Sequence, residues 1–145
     1  MLHPRVSPTT QGITYSAYGS DSSRVYIFNI ETGQKEIVGD FKNMTFAPRF
    51  SPDGQKVIMS LESDDGRDAN IYELDLRSRQ TRQVTNVPSI NTAPCYSPDG
   101  SKIAFESDRG VTQQIYVMGA DGSNQQRISF GNGAYSPPVG SPAGL

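Results

Sequence analysis

The sequence predicts an all-β fold of repeated four-stranded antiparallel sheets, and three observations predict it. The turn sequence Phe50-Ser51-Pro52-Asp53-Gly54 returns 46 residues later as Tyr96-Ser97-Pro98-Asp99-Gly100, and a worn copy, Val6-Ser7-Pro8-Thr9-Thr10, stands 44 residues earlier. The apolar-Tyr pairs Val25-Tyr26, Ile71-Tyr72 and Ile115-Tyr116 repeat at spacings of 46 and 44. The intervening runs are short, rich in Val, Ile, Thr, Tyr and Phe, and punctuated by 14 Gly and 10 Pro. Four short strands in a unit of about 44 residues is the period of a β-propeller blade.

Each element has a local reason. In the Ser-Pro-Asp-Gly turn, Pro presets the first central dihedral, Asp can bond its own backbone and Gly relieves strain at the exit. In the first unit Ile13, Tyr15 and Ala17 alternate with polar residues, Val25–Ile30 is apolar on both sides, Glu31–Gln34 is a hairpin and Lys35–Val38 an outer strand. In the second, Pro48–Phe50 enters the turn, Val57, Met59 and Leu61 share one face, 63–68 is an acidic loop, and Ile71–Leu76, the hairpin 77–80 and Thr81–Thr85 complete the sheet. The third repeats this with Pro94–Tyr96, Ile103–Phe105, the loop 108–110, Ile115–Met118, the turn 121–124 and Gln126–Ile128. A third strand apolar on both sides implies cover on both faces. The expected division is therefore three complete blades at 4–46, 47–92 and 93–136, with 137–145 starting a fourth.

Composition narrows the function. Net charge is -2 over 145 residues, which gives no electrostatic case for nucleic acid. No apolar run is long enough to span a bilayer as a helix, and no signal peptide is read at Met1–Arg5. Cys95 is the only cysteine and reads as a small buried apolar residue; His3 is the only histidine. A hydrolase triad needs a histidine base beside an activated serine, and no Gly-x-Ser-x-Gly elbow exists, so the chain is read as non-enzymatic. Asp64, Asp65 and Asp68 lack the spacing of a calcium loop and read as a solvated turn; neither a metal nor a cofactor is expected. Glu106, Asp108 and Arg109 read as exposed loop charges.

Strand order decides which connections share an end. The Ser-Pro-Asp-Gly turns and the third-to-fourth hairpins fall at one end, short and structural. The second-to-third loops and the blade-to-blade connections 39–47, 86–93 and 131–136 fall at the other, longer and more varied. Phe41, Met44, Phe46, Ile90 and Tyr135 are apolar residues in these connections. They read either as partner anchors or as plugs that cover a blade.

The segments Phe-Ser-Pro-Asp-Gly-Gln-Lys-Val, Tyr-Ser-Pro-Asp-Gly-Ser-Lys-Ile-Ala-Phe-Glu-Ser-Asp-Arg-Gly, Gln114–Met118 and Gln126–Ser129 resemble the WD40-like repeats of the TolB propeller family. So does Met44-Thr45-Phe46-Ala47-Pro48-Arg49-Phe50. The resemblance implies a periplasmic six-bladed propeller that binds the peptidoglycan-associated lipoprotein. It also implies a place in the Tol–Pal system, which serves outer-membrane integrity and cell division. By motif match it puts the lipoprotein on the end bearing Met44, Thr45, Ala47, Asn91, Thr92 and Ala93, and the apolar loop residues Phe46 and Tyr135 complete the expected partner face. The sequence departs from the family at Gly140, where Phe50 and Tyr96 lead one to expect a ring, and has three complete units where the family has six. It therefore reads as a half-propeller that a second copy could close into a six-bladed ring. The alternative reading is a propeller that gates a prolyl-oligopeptidase-type peptidase, a propeller lyase, or a fragment without activity.

Overall fold

A computed structural model describes residues 5–6, 12–18 and 22–130. His3, the worn turn at 7–11, Tyr135 and the start of a fourth unit lie outside the described residues. The rest is strand and turn. The first sheet holds β1 (Arg5–Val6), β2 (Gly12–Tyr18), β3 (Ser23–Asn29) and β4 (Lys35–Phe41). The second holds β5 (Thr45–Phe50), β6 (Lys56–Glu62), β7 (Ala69–Asp75) and β8 (Thr81–Gln83). The third holds β9 (Asn91–Tyr96), β10 (Lys102–Gly110), β11 (Thr112–Gly119) and β12 (Gln126–Arg127). Each sheet is an antiparallel meander in chain order, the fold class that the repeat predicts.

The recurrent turn is held by one device. Ser51 Oγ donates to Asp53 Oδ1 at 2.6 Å, Gln55 N–H to the same oxygen at 3.0 Å, and Lys56 N–H to Ser51 Oγ at 3.0 Å. Ser97, Asp99, Ser101 and Lys102 repeat it, and those donors hold the Asp99 carboxyl down to about 2, the Ser101 backbone N–H first. Gly54 and Gly100 close the turns at φ 73° and 76°, backbone that favours glycine. The acidic loop at 63–68 is the same turn without proline. Ser63 Oγ donates to Asp65, Arg67 N–H to Asp65 and Asp68 N–H to Ser63 Oγ, with Gly66 at φ 71°.

The sheets pack through alternate faces of each strand. From the second sheet, Val57, Met59 and Leu74 meet Val25 and Val38 of the first, with Ile27, Phe41, Phe50, Tyr72 and Leu76 around them. The intervening residues Ile58 and Ile71 turn the other way, onto Tyr96, Ile103, Phe105, Tyr116 and Met118 of the third. Each fully buried aliphatic or aromatic side chain contributes about 1.5–3 kcal/mol. The second sheet is thus covered on both faces, as its apolar third strand requires. In β3 the residues of the opposite face, Tyr26 and Phe28, are only half-buried.

Several boundaries differ from the sequence reading: β8 ends at Gln83, and β10 runs to Gly110 through the segment 108–110 expected as a loop. β4 runs on to Phe41, with a bulge opposite Val25 and Tyr26, so the first connection is Lys42-Asn43-Met44 and Phe41 packs into the core. β5 and β9 begin at Thr45 and Asn91, three residues earlier than the strands expected at Pro48 and Pro94. Each contains a bulge at its Ala-Pro pair, since the register to the next strand shifts between Phe46 and Arg49 and between Thr92 and Cys95. Proline has no N–H to give a ladder, which is why the strand can bulge there without losing a bond.

Candidate protein-docking face

Antiparallel order puts the β6–β7 loop, the β10–β11 loop and both inter-sheet connections at one end of the sheets. The described residues expected to form a partner surface sit there, in two layers, and Tyr135 lies outside the described residues. Thr45 and Asn91 are the deep layer, 4% and 0% exposed. Thr45 ties the first sheet to the second: its N–H donates to Ser23 Oγ at 3.1 Å, the two hydroxyls share a bond of 2.6 Å, and Ser16 Oγ donates to its carbonyl. Asn91 does the same between the second and third sheets. Its Nδ2 donates to Ala69 O at 3.0 Å and lies within bonding reach of Asn70 Oδ1 and Ser89 O. Its Oδ1 accepts from Ser107 Oγ at 2.8 Å and Arg109 Nη2 at 3.0 Å, and its carbonyl accepts from Ser60 Oγ at 2.6 Å. Ala93 is buried in the β9 bulge at φ 52°.

The accessible layer is Met44, Phe46 and Thr92, all half-buried. Met44 also accepts, through its carbonyl, the N–H of Glu62. Ala47 lies in the β5 bulge. Lys42 and Asn43 reach across to Asp64, at 3.7 and 2.9 Å, and hold its carboxyl below the usual range, Asn43 first. They fix the first connection against the β6–β7 loop.

Three residues read as exposed loop charges are built into the structure instead. Glu106 is 3% exposed, accepts a hydrogen bond from Gln113 Nε2 at 2.6 Å, and burial pushes its carboxyl up. Arg109 lies over the Tyr116 and Phe105 rings at 4.6 and 5.4 Å and donates to Ser107, Asn91 and Gln125. Asp108 accepts the Ile90 N–H at 2.8 Å and so pins the second connection to the end of β10. Sequence reasoning missed this frame because its partners, Asn70, Ser89, Asn91 and Arg109, lie far apart along the chain. Phe105, four residues before Arg109, and Tyr116, seven after it, are its only local sign.

The opposite end holds a cleft of about 410 Å³ between the second and third sheets, lined by Asp53, Lys56, Glu73, Arg82, Tyr96, Asp99 and Asp121. The lining carries four acids and two bases, and both bases meet at Glu73. Glu73 accepts from the Tyr96 hydroxyl and from Arg82 at 3.1 Å, and Lys56 lies 3.6 Å away. Arg82 also donates to Ala120 O, which makes the cluster a tie between sheets. Cys95 is buried, and burial pushes its thiol up. Among the described residues no three His, Cys, Asp or Glu side chains gather as a metal site.

Comparison with known proteins follows this geometry. The family model for the TolB beta propeller domain matches residues 1–145. The Tol-Pal system protein TolB of Gluconobacter oxydans is 46% identical over 77 residues, covering 53% of this chain and 17% of that protein. The crystal structure of TolB from Acinetobacter baumannii superposes with a TM-score of 0.79 at 33% identity, over 88% of this chain and 31% of that one. An oligogalacturonate lyase superposes over 88% of this chain and 35% of its own, with a TM-score of 0.66, at 18% identity, a likeness of fold alone. The chain thus spans well under two thirds of the TolB proteins it matches. Repeat, topology and family match agree: the chain belongs to the TolB β-propeller family.

Proposed function

We propose that the chain is a non-catalytic, protein-docking propeller segment of the Tol–Pal system, working in the periplasm for outer-membrane integrity and cell division. Its partner in this reading is the peptidoglycan-associated lipoprotein. The observation that carries it is the 46% identity to a Tol-Pal system TolB across 77 residues. The docking end supports it physically: Met44, Phe46 and Thr92 present part-exposed surface on a base stiffened by Thr45, Asn91 and Arg109. A preorganised base lowers the ordering cost of binding. Ala47 belongs to the same proposed surface, and Tyr135 is assigned to it from the sequence alone.

The test is titration of the folded chain with the soluble domain of a peptidoglycan-associated lipoprotein. Thr92→Asp and Ala47→Asp are expected to weaken binding at least tenfold while the circular dichroism spectrum and unfolding midpoint stay near wild type. Unchanged affinity in both folded variants overturns the docking end.

The reading includes a second copy that completes a six-bladed ring. The outward face of the first sheet favours it, with Tyr15 and Tyr26 stacked at 5.1 Å, Phe28 half-buried and Ile37 50% exposed. Sedimentation velocity is expected to give the mass of two chains, and a single-chain mass at micromolar concentration removes this part. The rival, a propeller that gates a peptidase or forms a lyase, rests on likenesses of 18% identity or less, which carry fold and no chemistry.

A further inference from the structure

Four turns in the described residues close with an N–H donated to the carbonyl three residues before by a residue in left-handed backbone, and that residue is glycine: Gly54, Gly66, Gly100 and Gly122, at φ 71° to 90°. A fifth turn has the same bond and the same backbone but no glycine. Val111 N–H donates to Asp108 O at 3.0 Å with Val111 at φ 87°. A β-branched side chain is the least suited to that region. The neighbouring Gly110 shows that a glycine was within one position of relieving it. Gly66 occupies the matching place in the β6–β7 loop of the second sheet.

Nothing inside the molecule rewards this strain, because Val111 is 93% exposed. The turn is nonetheless rigidly based. Asp108, three residues before, accepts the Ile90 N–H at 2.8 Å and donates to Ile90 O at 3.3 Å, and Arg109 is clamped on Tyr116. Ile90 is itself 37% exposed. Ile90 and Val111 are therefore both tied to Asp108, on one fixed frame at the proposed docking end. Strained residues that the fold does not need gather where a surface is used.

We propose that Val111, with Ile90 beside it, is an apolar knob that inserts into a nonpolar pocket of the protein partner. The proposal rests on the docking reading above and adds a contact that neither the repeat motif nor the family pattern marks.

The experiment uses the full chain and the soluble lipoprotein domain as probe, with wild type, Val111→Gly and Val111→Asn titrated in parallel and their unfolding midpoints measured. Both variants tolerate left-handed backbone; both lose the apolar knob. Affinity is expected to fall roughly tenfold or more in each. The midpoint of Val111→Gly is expected to rise by about 2–4 °C as strain is released. Wild-type affinity in both variants overturns the knob and leaves the docking reading standing. A lower midpoint in Val111→Gly also overturns it, by showing that the valine is there for stability. Absence of binding by wild type as well as the variants removes the docking reading and the knob with it.

Discussion

Asn91→Ala is the substitution that most directly probes how the second and third sheets are held together. The side chain is fully buried, and the change removes its bonds from Ser107 Oγ and Arg109 Nη2 and its bonds to Ala69 O and Ser89 O. Arg109 keeps Ser107 and Gln125, so its guanidinium is not stranded. The Ala69 carbonyl loses its side-chain partner but stays in the parallel bridge between Ala69 and Ile90. A net bond is worth about 1 kcal/mol, and a buried group left unsatisfied costs about 1–3 kcal/mol. With two to four bonds lost in net effect, the destabilisation is about 2–4 kcal/mol. At this chain length that lowers the melting midpoint by roughly 4–16 °C. Urea unfolding followed by circular dichroism measures it, and an Asn91→Ala/Arg109→Ala cycle is expected to show coupling above about 0.5 kcal/mol. A loss below about 0.5 kcal/mol for Asn91→Ala, or additive single changes, refutes the reasoning.

Three further outcomes follow from the same structure. Thr14 is fully buried and its Oγ1 has no hydrogen-bond partner among the described residues, so Thr14→Val, which keeps the shape, is expected to stabilise by about 1 kcal/mol in denaturant titration. Glu106 has its carboxyl pushed up by burial, opposed only by the Gln113 bond, so its contribution is full at acid pH and lost as pH rises through the folded-state value. Glu106→Gln is therefore expected to stabilise at neutral pH, with the gain disappearing on acidification in a pH series of melting curves. A Cβ at Gly122, where φ is 90°, would lie 2.4 Å from the Val84 carbonyl oxygen, so Gly122→Ala is expected to cost about 2–3 kcal/mol by chemical denaturation.

The repeat carried the architecture because its signal is local. Ser51, Asp53 and Gly54 make one turn among themselves, and the apolar alternation of Val57, Ile58 and Met59 states which residues face which neighbour. The same logic extended further than the proline it was read from. Ser63, Asp65 and Gly66 form that turn with aspartate where proline stands elsewhere, so a search keyed to Ser-Pro missed it. Strand starts were harder. Ala47-Pro48 and Ala93-Pro94 look like a boundary because proline interrupts ladders, whereas the strands bulge there and continue back to Thr45 and Asn91. The docking end was the least readable part. Its position follows from strand order, but its stiffness comes from Asn70, Asn91, Ser107 and Arg109 meeting across sheets, a coincidence no local pattern encodes.

The central claim is that a protein partner binds the end carrying the inter-sheet connections. Hydrogen exchange of the chain with and without saturating soluble lipoprotein domain tests it most directly. The account predicts added protection in 42–46, 86–92 and 108–112, with the turns at 51–54 and 97–100 unchanged. Protection centred on the Ser-Pro-Asp-Gly turns, or none at saturation, would contradict it.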